Sequence, residues 1–362
     1  MRPERGGKMK LAKIIEIFEN YAPLRLASQE DNCGLQIGSI GADIKKIIFT
    51  LDLTFEIYKK IKKNNNTLIY THHPLIFEPL KNINMDTSKC RLISELIKNN
   101  ICVYSAHTNL DAAKFGINYY LGKMLGVEKY GCEKLVPTYK EKLYKISVFV
   151  PGKSLDSLRS AMAAYGAGEI GDYKYCSFVT SGIGTFTAGS KSSPYIGKKG
   201  ILEKIEEVKL EMIAGEFNLN KVINAMKNNH PYEEVAYDLY QLANNGKTYG
   251  YGYLVNLNKP IKVNKLLKRV KAERKGYKKD KLIKKLAYLS GTSKKVFEEA
   301  IKRKADCLII GEIDYHQDLT AKDEKMIVLE MGHKESESFI FKYMIRNLRK
   351  EFGKDIMMKI LN

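Results

Sequence analysis

The stretch LIYTHHPLIFEP, residues 68–79, decides the fold, because a short apolar strand ends there in two adjacent histidines. The pattern predicts a buried strand over residues 67–71, followed directly by His72 and His73. Pro74 disfavours the helical region for His73, so the chain turns there and both imidazoles can face one point. In open α/β sheets, ligands bind at the carboxyl ends of the strands. The pair is therefore either a pair of metal ligands or two ordinary polar loop residues, and the pair alone does not decide.

Strands and helices alternate on both sides of this histidine pair. Around it, strands are predicted at residues 46–51, 67–71 and 101–105, and helices at residues 54–63, 88–99 and 116–125. After Pro260 the alternation returns, with strands predicted at residues 285–290, 306–310 and 326–330. Strands separated by helices of about ten residues indicate a parallel sheet covered on both faces. The fold class is therefore α/β, and the two α/β parts either share one sheet or pack as two halves.

Between these parts, the chain has a different pattern of elements. Strands are predicted at residues 143–150, 173–180, 208–213, 235–240 and 248–255, with helices at residues 154–165 and 219–227. This order is that of a ferredoxin-like α+β unit, which we expect to be a compact domain inserted into the first. A segment rich in Gly, Ser and Thr at residues 181–200 lacks the spacing of a P-loop, so we predict a mobile loop there.

The composition is that of a folded globular protein of two or three domains, with 362 residues, 44% hydrophobic and 28% charged. No apolar run approaches the roughly 20 residues that span a bilayer, and no signal-type stretch follows the basic N-terminus. The first eight residues are expected to be a disordered extension, and Met9 could be the natural start. Six cysteines lack CxxC spacing, and several lie in apolar segments, which predicts reduced thiols in a cytoplasmic protein.

Much of the net charge of +20 lies in residues 259–285, KPIKVNKLLKRVKAERKGYKKDKLIKK. Such a patch can bind phosphates or nucleic acid without sequence specificity. A solvated helix face with a lysine-rich loop is the simpler interpretation, and no zinc-finger or RNA-recognition motif favours nucleic acid. Nucleic acid therefore remains only an alternative partner.

Polar side chains that suit metal binding or proton transfer follow the predicted strands. Besides the histidine pair they are His107, Asp111, Glu312, Asp314, His316, His333 and Glu337. Strand ends at one edge of a parallel sheet converge, so these groups are expected near one another. His333 and Glu337 are four residues apart, which places them on one face of a helix, where they can share a metal. Mixed histidine and carboxylate ligands suit zinc, iron, manganese, cobalt or nickel without selecting among them.

Two further acidic residues have simpler interpretations. Asp52 can cap the helix that follows it, and Asp31 either touches a site or, more simply, caps a turn.

The motifs THHP, SAHTNLDAA, HPYEE and GHKESE, with DNCGLQIG before them and GTF between them, resemble the GTP cyclohydrolase 1 type 2 homolog family (Nif-three-like proteins). The similarity runs in order from Ala22 to Glu337. It implies a Nif-three-like α/β domain built from both chain ends, residues 9–136 and 259–362. It also implies an inserted ferredoxin-like domain of the nitrogen-regulatory PII type at residues 137–258, and toroidal homohexamers built as trimers of dimers.

Residue by residue, the resemblance implies two divalent metal ions per chain. The implied ligands are His72 and Asp111 for the first ion, His73 and His333 for the second, and Glu337 for both. Two turns depart from the family pattern, because residues 290–293 read SGTS and Glu312 of GEIDYH stands in the aspartate position. We expect that neither departure touches the five ligands, and the substrate contacts near His316 stay open.

The remaining histidines each have two interpretations. His107 and His316 either transfer protons during a reaction, since imidazole titrates near neutral pH, or make structural hydrogen bonds near the site. His230 begins the HPYEE motif, in which Tyr232, Glu233 and Glu234 could form a ligand or subunit contact. The simpler interpretation of that motif is a turn between a helix and a strand.

The reaction class that two bridged metals favour is hydrolysis of a phosphoester, amide or ring C–N bond. The basic surface favours an anionic small molecule such as a nucleotide, and the family resemblance implies opening of the GTP purine ring. The alternative is a regulatory or metal-trafficking protein that binds metal and ligand without turnover. No membrane partner is expected in either case.

Overall fold

The computed structural model describes residues 7–61, 66–270, 281–353 and 355–361. The chain divides into two compact units, of which the first is Met1–Tyr139 with Tyr249–Asn362 and the second is Lys140–Thr248. Most of the predicted N-terminal extension, and residues 271–280 of the basic stretch, lie outside the described residues. Within the described ranges, no helix is both long and apolar enough to cross a membrane.

Fourteen strands and twelve α-helices are found in the described part of the chain. The strands are β1 Met9–Lys10, β2 Gly34–Ile37, β3 Asp43–Ile44, β4 Lys46–Thr50, β5 Thr67–Thr71, β6 Cys102–Ser105, β7 Cys132–Val150, β8 Phe178–Thr187, β9 Leu202–Gly215, β10 Tyr237–Lys262, β11 Leu282–Tyr288, β12 Cys307–Ile310, β13 Ile327–Glu330 and β14 Met357–Ile360. The helices are α1 Leu11–Tyr21, α2 Phe55–Ile61, α3 Ser88–Lys98, α4 Thr108–Ala112, α5 Ile117–Leu125, α6 Leu155–Ala164, α7 Glu216–Asn229, α8 Val263–Val270, α9 Lys294–Lys302, α10 Tyr315–Asp323, α11 His333–Ser338 and α12 Ile340–Phe352.

A five-stranded sheet in the first unit carries the histidine pair. Its strand order is β14-β4-β5-β6-β2, and β2 runs antiparallel to β6 while the other neighbours are parallel. The strands β4, β5 and β6 are buried apolar runs, as expected for parallel strands covered on both faces. Thr50 pairs with Thr71, and Thr71 pairs with Ser105, so the three strands end in line. The residues that follow these strands therefore meet at one edge.

The strands from the second half of the chain form a separate sheet in this unit. Here β11, β12 and β13 are parallel, and β10 runs antiparallel to β11. Of the two predicted arrangements, a shared sheet or two halves, the described residues favour two halves, because the α/β strands of the two chain ends lie in different sheets and β14 alone joins the N-terminal strands. A third sheet is the short pair β1 and β3. Ile310 at the end of β12 pairs with Glu330 at the end of β13. The turns that follow both strands therefore start side by side.

Helix α3 illustrates how the sequence covers the first sheet. The hydroxyl of Thr87 accepts a hydrogen bond from the Cys90 backbone N–H at 3.3 Å, which caps the helix. Leu92 and Leu96 recur at helical spacing and pack in one buried cluster with Ile69 of β5. Burying each leucine contributes roughly 1.5–3 kcal/mol, so packing against the sheet holds this helix in place.

The second unit has the element order β-α-β-β-α-β, from β7 through α6, β8, β9 and α7 to β10. Within it, β9 pairs antiparallel with both β7 and β8. The helices α6 and α7 pack on the sheet through a core that includes Ile146, Leu158, Leu210 and Met226. This unit therefore has a hydrophobic core of its own.

Part of the predicted mobile loop at residues 181–200 is a strand. Residues 181–187 continue β8 and pair with β9 in unbroken register, from Ser181 opposite Val208 to Thr187 opposite Leu202. The strand could not be predicted from sequence, because the glycines at 182 and 184 weaken the strand pattern. In the structure, pairing along β9 supplies the backbone hydrogen bonds. The predicted strands at 235–240 and 248–255 are likewise one strand, β10.

His230 is a structural residue at the turn between α7 and β10. Its Nε2–H donates to the Phe149 carbonyl oxygen at 2.9 Å, and its Nδ1 accepts from the Tyr232 backbone N–H at 3.1 Å. The second hydrogen bond requires the neutral ring, because Nδ1 of a protonated imidazole carries a hydrogen and cannot accept. Burial lowers the pKa of His230 below its ordinary value of 6.5.

Acid is expected to destabilise the second unit as the pH falls below about 6.5, because the unfolded chain then binds a proton at His230 that the folded unit excludes. His230→Ala removes both hydrogen bonds, so the variant is expected to lose about 1–3 kcal/mol at pH 7.5 and to respond less to acid. Hydrogen exchange in α7 at pH 7.5 and 5.5, corrected for intrinsic rates, measures both effects. An equal acid response in the two proteins would contradict this role for His230.

Candidate metal centre

His72 presents one ring nitrogen to the edge where the strands end. The side chain is fully buried after β5, and its Nδ1–H donates to the Ala106 carbonyl oxygen at 2.9 Å. A carbonyl only accepts, so this bond fixes the tautomer and leaves Nε2 as a lone-pair donor. Among the described residues, that Nε2 has no hydrogen-bond partner.

His73 is oriented by a carboxylate from the neighbouring strand. Its Nδ1–H donates to Asp52 Oδ1 at 2.8 Å, and its Nε2 lies 3.1 Å from Glu337 Oε2. Burial lowers the pKa of His73, but the hydrogen bond to Asp52 and the Glu337 carboxylate raise it to about 10. Asp52 follows β4 and was interpreted from sequence only as a helix cap. Its position at a strand end was the signal that could have found it.

His333 repeats this arrangement from the second sheet. Its Nδ1–H donates to Glu312 Oε1 at 3.0 Å, and its Nε2 lies 3.5 Å from Glu337 Oε2. Glu312 follows β12, whereas His333 follows β13 and begins α11. The sequence predicted that Glu312, which departs from the family pattern, touches none of the five proposed metal ligands. That prediction is wrong, because the adjacent parallel strands β12 and β13 place Glu312 against His333.

Glu337 lies at the centre of these histidines and is 4% exposed. Its Oε1 is 3.8 Å from His72 Nε2, and among the described residues its Oε2 has no partner with hydrogen-bond geometry. Burial raises the pKa of this carboxyl, but the facing imidazoles of His72 and His73 hold it well below its usual range. Glu337 is therefore an ionised carboxylate with unused acceptor capacity.

Asp111 approaches His72 from the other side, from helix α4. Its Oδ1 is 3.9 Å from His72 Nε2 and has no hydrogen-bond partner among the described residues. Burial raises the pKa of Asp111 to about 6. A buried carboxylate without a partner is costly, so a ligand that accepts its lone pairs would stabilise it.

These residues fit divalent metal ions. Unpartnered buried atoms on His72, Asp111 and Glu337 converge on one region, and the ring nitrogens that face away from it are held by backbone or carboxylate acceptors. Ligands with one nitrogen free and the other fixed are the usual arrangement at metal sites. The potential ligand atoms of His73, His333 and Glu337 lie within 4.8 Å of one another. The His/Glu cluster could therefore hold metal, and its donor set suits the transition metals named above.

His107 belongs to a second group of potential ligands, with His72 and His73. Its ring centroid is 5.2 Å from that of His72, and its Nδ1–H donates to Asp31 Oδ1 at 3.1 Å. The sequence suggested a proton-transfer or structural role, and the geometry adds metal ligation as a third. Asp31, for which the sequence favoured a simple turn, is the residue that orients this ring.

His316 is not in either group of potential ligands among the described residues. It is exposed in the first turn of α10, where its ring packs against Tyr315 at 5.5 Å between centroids. Asp314 caps the same helix by accepting from the Gln317 backbone N–H at 2.8 Å. A catalytic role for His316 therefore stays a prediction.

The turn at Gly291 leaves room for the Glu337 carboxylate. Gly291 has a φ of +66°, and a Cβ at this position would collide with Glu337 Oε1. Gly291 is the glycine that the SGTS turn retains, so this contact does not involve the residues of the turn that depart from the family pattern. Only a residue without a side chain allows the carboxylate this position.

Gly291→Ala is expected to displace Glu337, lowering metal content several-fold and the free energy of unfolding by about 1–3 kcal/mol. Gly171→Ala is the matched control, because Gly171 has a similar φ of +57° and no atom of the described residues within 4 Å of an added Cβ. Elemental mass spectrometry and thermal unfolding measure both effects. Equal metal content in the two variants would show that Gly291 does not position the carboxylate.

Residues 9–362 match the family described as Duf34/NIF3 (NGG1p interacting factor 3). The chain belongs to this family. It is 38% identical over 334 residues to a GTP cyclohydrolase 1 type 2 homolog of Halalkalibacterium halodurans, covering 90% of this chain and 89% of that protein. A protein of the same name from Bacillus subtilis is 36% identical, covering 89% and 87%. These matches confirm the family resemblance that the motifs indicated.

A solved Duf34/NIF3 structure has a similar fold. The Bacillus cereus protein related to NIF3 superposes with a TM-score of 0.80 at 34% identity, covering 97% of this chain and 96% of that chain. The mixed α/β fold of the present chain is therefore that of a NIF3-related protein.

Proposed function

We propose that this Duf34/NIF3 protein holds two divalent metal ions and hydrolyses a nucleotide or a related anionic small molecule. The observation that carries the proposal is the convergence of unpartnered buried atoms of His72, Asp111 and Glu337. In this proposal, His72 and Asp111 hold one ion, His73 and His333 hold the other, and Glu337 serves both. When bound, such ions lower the pKa of water and polarise a substrate oxygen.

The protein's own groups would orient the substrate and move protons. His107 lies beside the proposed ligands, and Asp31 fixes its Nδ1–H, so its Nε2 is the atom that would accept or return a proton. The hydrogen bonds from His73 to Asp52 and from His333 to Glu312 would keep the Nε2 atoms of both rings facing the site. If His107 is instead a ligand, His316 is the remaining candidate for proton transfer.

The anionic substrate class rests on charge and on the relatives. The net charge of +20 attracts anions, and the two relatives are named for a reaction of GTP. We therefore propose nucleotides, GTP first, as the compounds to test. Nucleic acid would require the basic stretch at residues 259–285, part of which lies outside the described residues, and a steep loss of affinity with salt would reveal it.

The domain division and the assembly are also proposals. We propose a metal-binding domain of residues 9–136 and 259–362, with a PII-like ferredoxin-type domain at residues 137–258; the compact unit Lys140–Thr248 and its element order support this. We propose a cytoplasmic homohexamer, for which free cysteines and the family resemblance are the supports. Light scattering on the purified chain would test the hexamer.

The experiment that tests the hydrolase proposal uses protein reconstituted separately with Zn, Mn, Fe, Co and Ni. Chromatography would follow GTP, the other nucleoside triphosphates and their monophosphates. We expect turnover with at least one metal, and a loss of about 100-fold or more in His107→Ala if His107 moves the proton. Stoichiometric metal with no turnover of any nucleotide would favour the alternative, a regulatory or metal-trafficking protein.

A further inference from the structure

A cavity of about 430 Å³ lies within the second unit, between β8, the segment that follows it, and the turn before β10. Its apolar walls include the rings of Phe149, Phe186, Tyr195 and Tyr232. A cavity of this size accommodates a small molecule, and aromatic walls favour a ligand with apolar or cationic parts.

The charged groups that line this cavity are all negative. They are the carboxylates of Glu207, Glu233 and Glu234, and among the described lining residues there is no lysine or arginine. The protein as a whole carries a net charge of +20, so this acidic lining runs against the overall composition. A ligand that fills the cavity would therefore carry positive charge.

Glu207 is oriented in the wall by one hydrogen bond. The Tyr232 hydroxyl donates to its Oε1 at 2.7 Å, and the absence of a Cβ on Gly184 leaves room for Oε2. Burial and the Glu207 carboxylate raise the pKa of Tyr232, so the hydroxyl stays a neutral donor. The carboxylate is thus fixed beside an aromatic ring before any ligand binds, which reduces the entropic cost of binding.

The segment after β8, which forms one wall of the cavity, is bound to the HPYEE motif at residues 230–234. The Ser193 backbone N–H donates to Glu233 Oε1 at 2.7 Å, and the Tyr195 ring lies 6.0 Å from that of Tyr232. The ammonium of Lys153, which does not line the cavity, lies 5.0 Å from the centroid of Tyr195. One ring of the pair is therefore already used as a partner for a cation.

We propose that this cavity binds a small organic cation, a protonated amine or a quaternary ammonium with an apolar portion. The positive group lies between the Glu207 carboxylate and the rings of Tyr195 and Tyr232, and the apolar portion packs on Phe149 and Phe186. The HPYEE motif, which the metal site does not use, supplies Tyr232 for this purpose. The site lies wholly in the second unit, so its existence does not depend on hydrolysis at the metal centre.

Calorimetric titration of the full chain with choline, at low salt, tests the proposal. We expect saturable binding at one site per chain in the low-millimolar range or tighter, and at least about tenfold weaker binding of the uncharged isostere 3,3-dimethylbutan-1-ol. No saturation by choline up to about 30 mM, or equal binding of the alcohol, would overturn the proposal.

Variants locate the binding in the cavity. Glu207→Gln keeps an acceptor for Tyr232 but removes the charge, and we expect at least about tenfold weaker choline binding. Glu206→Gln is the matched control on the other face of β9, and its affinity is expected to be unchanged. Tyr195→Leu, at an exposed position, is expected to weaken binding, whereas Tyr195→Phe retains it. Equal effects of Glu206→Gln and Glu207→Gln would overturn the assignment.

Discussion

Glu337→Ala, purified without chelator or affinity metal, is expected to contain less than about a tenth of the metal found in the wild-type chain. The wild type is expected to hold about two ions. Glu337 faces three imidazoles at once, with Nε2 atoms of His73 and His333 at 3.1 and 3.5 Å from Oε2 and that of His72 at 3.8 Å from Oε1. Even partners that only orient metal ligands change affinity 10- to 100-fold, so removing this central carboxylate is expected to cost more.

The matched control for this variant is Glu335→Ala, an exposed position two residues earlier on the same helix. Its metal content is expected to equal that of the wild type. Chelation is expected to lower the melting temperature of the wild type and of Glu335→Ala, and to leave Glu337→Ala almost unchanged. Full metal content in Glu337→Ala, or no metal in the wild type after adding back each candidate ion, would contradict the dinuclear site.

Asp31→Ala is expected to lower the free energy of unfolding of the metal-free protein by about 3–5 kcal/mol. The Asp31 carboxylate, 3% exposed, accepts from His107 Nδ1–H at 3.1 Å, from the Thr108 backbone N–H at 3.0 Å and also from the Thr108 hydroxyl. The Cys33 thiol donates to it at 3.2 Å. Replacing Asp31 by alanine leaves all of these donors without their acceptor, at a place that water reaches poorly.

Denaturant unfolding of Asp31→Ala and of its exposed neighbour variant Glu30→Ala measures this effect, and the control is expected to change by less than about 0.5 kcal/mol. Burial raises the pKa of Asp31, but His107 and Thr108 hold it below its ordinary value of 3.8. The contribution is therefore complete above pH 3.8 and is lost as the pH falls through the lower folded pKa. Equal stability of the two variants would mean that Asp31 only forms a turn.

Much of the site could be predicted because it follows from local pattern. The strand before His72 and His73 is an unbroken apolar run, and parallel strands present their carboxyl ends at one edge. His333 and Glu337 are four residues apart at the start of a helix, so helical geometry alone places them together. Each pair is therefore placed by its own local pattern, whereas the meeting of the two pairs, which follow strands of different sheets, depends on the tertiary structure.

The groups that hold the histidines in place could not be predicted in this way. Asp52 lies 21 residues before His73, and Asp31 lies 76 residues before His107, each in a different element from its partner. From sequence both were ordinary turn or cap residues, because a carboxylate beside a turn usually binds its own backbone. The register in which β4 pairs with β5 brings Asp52 to the histidine pair. The sequence of neither strand indicates that register.

The sequence by itself determined the family, the alternation of strands and helices, and the histidines and carboxylates at the strand ends. Only the tertiary structure decided which ring nitrogen of each histidine is held by a hydrogen bond and which faces the site. It also decided that Gly291 makes room for Glu337 and that His107 lies beside His72 and His73. It also decided that residues 181–187 form a strand. The physical reason is the same in each case: periodicity encodes which face a residue occupies, whereas contacts between distant segments depend on strand register and on the close packing of the turns.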